Sequence, residues 1–176
     1  MNAKTFLLLA AILALFILAS CKSGGDDDTS GDDDASGNLI WQDPPASESM
    51  TWDDAKTYCE NLSFGGYDDW RLPTISELRS LIRGCDGTVT GGACGVTDSC
   101  LNSTCWNDPC NGCGYMGGPG SGGAYWPEGL STEKFWYWSS SPVADLVNNA
   151  WLVSFDYGLV ETNGVDTTHY VRCVRP

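Results

Sequence analysis

Nine cysteines, a single histidine and a run of three serines carry whatever covalent or metal chemistry this 176-residue chain could perform. Cys100, Cys105, Cys110 and Cys113 could offer four thiolates to zinc, but structural zinc sites draw on two close cysteine pairs, and only Cys110 and Cys113 are so spaced. That spacing also suits a redox pair, which would need a helix N-terminus in a thioredoxin-like pattern that the surrounding sequence lacks. Ser139, Ser140 and Ser141 have no glycine-flanked elbow to present a nucleophile. His169 is the sole histidine, and nothing nominates a nucleophile for it to activate. No catalytic residue, cofactor or bound metal is therefore expected. With Cys21 set aside, the eight other cysteines form an even set, which in an oxidising compartment reads as four disulfides.

The N-terminal sequence supplies that compartment. Lys4 precedes fourteen apolar residues, Phe6 to Ala19, the length of a signal-peptide core and short for a membrane span. The run ends in Leu18-Ala19-Ser20-Cys21, which looks like a bacterial lipobox, so residues 1–20 are expected to be removed and Cys21 lipidated. Lys22 in place of Asp suggests outer-membrane sorting, and hence an envelope lipoprotein facing the periplasm or the cell surface. Residues 21–37 carry two Asp triplets among Gly, Ser and Thr and no apolar side chain larger than alanine. Such a segment cannot bury enough surface to order itself and reads as a disordered acidic tether. Neither triplet has the alternating ligand spacing of a calcium loop.

Residues 38–176 make one domain of 139 residues, with 17 acidic and 7 basic side chains and a formal charge of −10. That charge opposes nucleic acid and anionic lipid, so the only membrane contact expected is the lipid anchor.

Few elements are available to position these residues. Leu39-Ile40-Trp41 reads as a short strand. Thr51 and Asp54 suggest a capping box, after which Trp52, Ala55, Cys59 and Leu62 form one apolar stripe of a helix. Thr74 and Glu77 repeat the arrangement, with Ile75, Leu78 and Leu81 or Ile82 predicting a second helix to about Arg83. Periodicity then vanishes from Gly84 to Tyr125, a glycine-rich stretch holding Cys85, Cys94, Cys100, Cys105, Cys110 and Cys113. Local disulfides among these six would pin a loop otherwise too long for a compact domain; their connectivity is open. Strand patterns follow at Phe135–Ser139, Ala150–Phe155, Leu159–Thr162 and Thr168–Val174. Asp156-Tyr157-Gly158 and Asn163-Gly164 supply turn signals between them. The class is α+β, two short helices before a small twisted antiparallel sheet with a long disulfide-pinned loop.

The ordered motifs resemble those of the Lcl C-terminal domain family, named for a collagen-like bacterial adhesin. They are Trp41, Thr51-Trp52 with Ala55 and Tyr58-Cys59, Gly65-Gly66, Asp69-Trp70-Arg71-Leu72-Pro73-Thr74 with Glu77-Leu78, Tyr137-Trp138-Ser139-Ser140-Ser141, Ala150-Trp151 with Val153 and Phe155, and Tyr170 to Arg175. The resemblance runs from about Leu39 to Pro176 outside the cysteine-rich middle. It implies a C-type-lectin-like fold, related to the formylglycine-generating sulfatase activators. It also implies a disulfide between Cys59 and Cys173, because such folds commonly join the first helix to the last strand. Trp52, Trp70, Trp138 and Trp151 have the spacing of core aromatics, and Arg71 and Arg172 suit carboxylates or buried carbonyls.

The loop is where ligand contacts are expected. Trp106, Tyr115, Tyr125 and Trp126 lie beside Asn107, Asp108 and Asn111. These aromatics either contact a ligand or pack the loop onto the sheet. Calcium-dependent lectins carry a Trp-Asn-Asp tripeptide like Trp106–Asp108, but near their closing cysteines rather than inside an insertion. The leading expectation is a recognition module for an extracellular glycan or protein. The rivals are a structural envelope lipoprotein without a ligand and an enzyme related to the sulfatase activators.

Overall fold

A computed structural model describes residues 39–131 and 136–176. The expected signal peptide, Cys21 and the tether lie outside the described residues, as do Asn38 and Phe135.

The two helices show what one methylene does at a helix start. Thr51 caps α1 (Trp52–Glu60), its hydroxyl accepting from the Asp54 N–H at 3.4 Å. The Asp54 carboxylate takes that same hydroxyl at 2.6 Å, where a reciprocal capping box was expected. Thr74 caps α2 (Ile75–Arg79) with the full box, because the longer Glu77 side chain reaches back to the Thr74 N–H at 2.8 Å. Regular helix stops at Arg79 rather than Arg83. Leu81 and Ile82 bond back three residues, and the Arg83 N–H turns to the Tyr125 carbonyl. Ala55 and Cys59 of α1 and Ile75 and Leu78 of α2 are buried, while Trp52 is only half-buried.

Arg71 forks onto Glu77 with both bonds at 2.6 Å, so one carboxylate caps α2 and anchors the preceding chain. Burial alone would raise the Glu77 carboxyl, but the Arg71 guanidinium and the Thr74 N–H and hydroxyl outweigh it and hold it below its ordinary value. A carboxyl depressed by folding stabilises above its unfolded pKa of 4.5, and that stability is lost as pH falls through the folded value. Glu77→Gln is therefore expected to cost about 1–2 kcal/mol at pH 7. The gap to wild type should narrow below pH 4.5 in urea melts; a gap constant down to pH 3 would contradict this account.

The sheet follows from the hairpin patterns. β2 (Trp136–Pro142), β3 (Asn149–Ser154) and β4 (Leu159–Gly164) pair antiparallel in that order. The β3–β4 turn is Phe155–Gly158, with Gly158 at φ +63°. Asn163 and Gly164 still pair with β3, and the next turn closes later, from the Gly164 carbonyl to the Thr167 N–H. The closing strand expected over Thr168–Val174 is broken, because its backbone changes partners. His169 pairs with Met50, Tyr170 bridges Tyr137 in parallel, and the Val171 and Cys173 carbonyls accept from Ala46 and Gln42. Only β5 (Val174–Arg175) is regular, against β1 (Ile40–Trp41). The final segment thus threads between the start of the domain and β2, and Cys173 lies on it, bonded to Cys59 of α1.

Indole N–H groups fasten these pieces together. Trp52 donates to Ser139, Trp70 to Phe64, Trp138 to Met50 and Trp151 to Leu101, each at a backbone carbonyl. The rings bury apolar area while each polar edge joins separate segments. Arg172, fully buried, donates to the carbonyls of Gln42 and Ser131, meets Asp43 at 3.3 Å and lies over the Trp126 ring.

Candidate functional site

Three disulfides close the insertion on itself: Cys85–Cys113, Cys94–Cys110 and Cys100–Cys105. Two groups of bonds do most to seat its two ends, besides contacts of Asp98, Ser103 and Trp106 with the domain. The first is Arg79, buried at the end of α2. Its guanidinium donates to the carbonyls of Thr88 and Val89, each at 2.8 Å, and of Val96. Burial lowers its pKa to about 10, still far above neutral pH, so the cation persists. The second is the β3–β4 turn. All four of its carbonyls accept from the insertion: Phe155 from the Tyr125 N–H, Asp156 from Met116, Tyr157 from Cys113, and Gly158 from the Thr88 hydroxyl. Gly112 is required at this seam, at φ +78°, because a Cβ there would run into the Tyr157 carbonyl oxygen.

The expected ligand residues separate into three groups. Tyr125 and Trp126 are each 1% exposed and belong to the core. Trp126 packs edge-on to Phe155, with ring centres 4.3 Å apart, and stacks on Tyr137 at 5.4 Å. Neither ring offers a face to a partner, so of the two readings left open for these ligand candidates, packing against the sheet is the one their burial fits. Asn107 is exposed, but its amide is committed: Oδ1 accepts from Gly95 and Nδ2 donates to Ala93. An amide so held braces the loop and is poorly placed to ligate calcium. Trp106 at 37% exposed, Tyr115 at 66%, Asp108 and Asn111 remain at the surface. Trp106 donates to the Val160 carbonyl of β4 at 2.9 Å, and Tyr115 packs on Tyr157 with ring centres 5.2 Å apart. Tyr157, itself 37% exposed, read in the sequence only as a turn residue.

A second surface had no local signal. An open cleft of about 470 Å³ is lined by Ser49, Trp136, Asn163, Thr168, His169 and Tyr170. Its residues come from the stretch before α1, from β2, from β4 and from the final segment, so only the folded chain brings them together. Burial depresses the His169 pKa, keeping the ring neutral at pH 7.

Two of the three serine hydroxyls in the run bond to backbone. The Ser139 hydroxyl donates to the Trp151 carbonyl at 2.7 Å, and the Ser141 hydroxyl accepts the Ile75 N–H at 3.0 Å. Among the described residues, no three His, Cys, Asp or Glu side chains cluster as metal ligands.

Among the described residues, fold and surfaces together define a small α+β domain with two helices, antiparallel sheets and four disulfides, with exposed Trp106 and Tyr115 held on a covalently braced insertion. The chain belongs to the Lcl C-terminal domain family, whose model matches residues 33–175. That match runs through the cysteine-rich middle and begins inside the acidic stretch. No curated protein matches the chain.

Proposed function

We propose that this chain is a membrane-tethered, non-catalytic recognition module, of C-type-lectin-like fold, that binds an extracellular glycan or protein through its insertion. The carrying observation is the exposed Tyr115–Tyr157 pair, set on backbone that disulfides and carbonyl bonds hold in place. Large aromatic groups on a rigid loop supply contact area at little ordering cost. Family membership supports a surface-associated role, and the helix-to-final-segment bond Cys59–Cys173 supports the lectin-like fold. The serine hydroxyls engaged with backbone argue against acyl chemistry at that run.

The test pairs a mixed neutral and sulfated glycan array with chemical cross-linking to envelope proteins in intact cells. Wild type should score in at least one of them. The double variant Tyr115→Ser, Tyr157→Ser should lose tenfold or more of that binding with a melting temperature within a few degrees of wild type. Wild type silent in both assays would end the recognition reading. The tether has its own check: Cys21→Ala should leave the membrane fraction and lose its acyl mass. Membrane fractionation unchanged in that variant would remove the lipid anchor.

A further inference from the structure

We propose that the cleft between β2, β4 and the final segment is a binding site for one uncharged pyranose ring of a glycan. The proposal rests on the reading of the chain as a recognition module, though not on the insertion as its surface.

The cleft joins two kinds of group that a neutral sugar needs. Trp136 and Tyr170 contribute aromatic surface, and His169 lies nearly parallel to Trp136 with ring centres 6.0 Å apart. His169 and the buried Trp138 meet edge to face with ring centres 4.7 Å apart, which restrains the imidazole. Sugar rings present faces of C–H groups that pack on such aromatic walls. Around them stand small polar groups, the hydroxyls of Ser49 and Thr168, with no hydrogen-bond partner among the described residues. A hydroxyl both donates and accepts, as a sugar hydroxyl does.

Asn163 makes the site directional. Its Oδ1 is held by the Gly164 N–H at 2.8 Å, and its Nδ2 lies 3.0 Å from His169 Nε2. An amide nitrogen can only donate, so Nε2 accepts and the imidazole proton sits on Nδ1. Nδ2 has two hydrogens, and the second is left over on an amide that cannot turn. That is a fixed donor at the wall of a cleft whose volume, about 470 Å³, lies among those of small-ligand sites.

Charge selects the ligand class. Among the described residues no Lys, Arg, Asp or Glu lines the cleft, and His169 is neutral. A sulfated or carboxylated sugar would find no cation among the described lining residues, and Glu48 and Asp166 flank the lining segments in a domain of charge −10.

The experiment uses the whole exported chain in detergent, with its disulfides formed. The probes are methyl glucopyranoside, methyl galactopyranoside and methyl mannopyranoside, with a sulfated disaccharide and N-acetyltryptophanamide as contrasts. Saturation-transfer NMR and tryptophan fluorescence report binding. At least one neutral pyranoside should bind, with Kd on the order of millimolar. Thr168→Trp fills the cleft from an exposed position and should weaken that binding tenfold or more without lowering the melting temperature. Trp136→Ala should do the same, and Thr168→Trp keeps the test decisive if Trp136→Ala fails to fold. The proposal is overturned if no pyranoside binds, if Thr168→Trp binds as wild type does, or if the sulfated or aromatic probe binds instead. Binding lost only in Tyr115→Ser, Tyr157→Ser overturns the cleft and leaves recognition standing. Envelope cross-links that persist without pyranoside binding do the same.

Discussion

Replacing Cys59 and Cys173 together by Ala is expected to cost about 4–5 kcal/mol of folding stability. The bond spans a sequence separation of 114, nearly the whole domain, and both cysteines are fully buried. Cross-linking so long a loop removes more freedom from the unfolded chain than any shorter bond, and that loss raises the free energy of the unfolded state. Cys100–Cys105, with a separation of 5, gives the internal comparison. On the same chain-entropy account its removal should cost only about 2 kcal/mol. Urea unfolding of the two double variants measures both, with a fall in melting temperature for the first of roughly 12–20 °C. Equal losses would mean that the long bond does not act through the unfolded chain. A larger loss for Cys100–Cys105 would contradict the structure itself.

Trp126→Ala is expected to cost about 3–5 kcal/mol, the loss of a fully buried ring. The indole is enclosed by Phe155, Tyr137 and the Arg172 guanidinium, and its N–H donates to the Leu130 carbonyl at 3.1 Å. Truncation would leave a cavity beside a buried cation and orphan a carbonyl. Trp106→Ala removes a ring that is 37% exposed and one bond to β4, and should cost about 1–2 kcal/mol. Chemical denaturation of the pair decides the matter. If Trp126→Ala were the milder substitution, the core assigned to this end of the domain would be wrong.

The two tryptophans explain how far the sequence could be read. Where a period existed, it was informative: Thr51 and Thr74 mark both helix starts, and the alternation of Trp151, Val153 and Phe155 marks β3. Between Gly84 and Tyr125 no period assigns a face, so Trp106 and Trp126 looked alike. Only the route of the backbone, turned back by the Arg83 to Tyr125 bond, puts one inside and the other at the edge of β4. The final segment misled for a related reason. Its composition suits a strand, but its hydrogen bonds go to several unrelated segments, and partner exchange leaves no mark in composition. The same limit hid Arg79, a charged residue on an apolar stripe whose partners are loop carbonyls. It also hid the cleft, whose described lining residues come from four separated stretches.

Many of the bonds that seat the insertion end on main-chain oxygen, while the Asp98 and Asp145 carboxylates hold the Ser76 and Ser103 N–H groups. Arg79 grips three carbonyls, and the β3–β4 turn offers four to the insertion. Backbone carbonyls are the same whatever side chain stands beside them. Outside the cysteines, the close-packed glycines, Thr88, Asp98, Ser103, Asn107 and the buried aromatics, the letters of this loop can therefore change without altering its course. The domain has the properties of a display frame, in which a surface can be rewritten while its mounting stays constant. Libraries randomised at Asp108, Asn111 and Tyr115 should keep the parent fold far more often than libraries of equal size randomised at Arg79, Thr88 and Gly112.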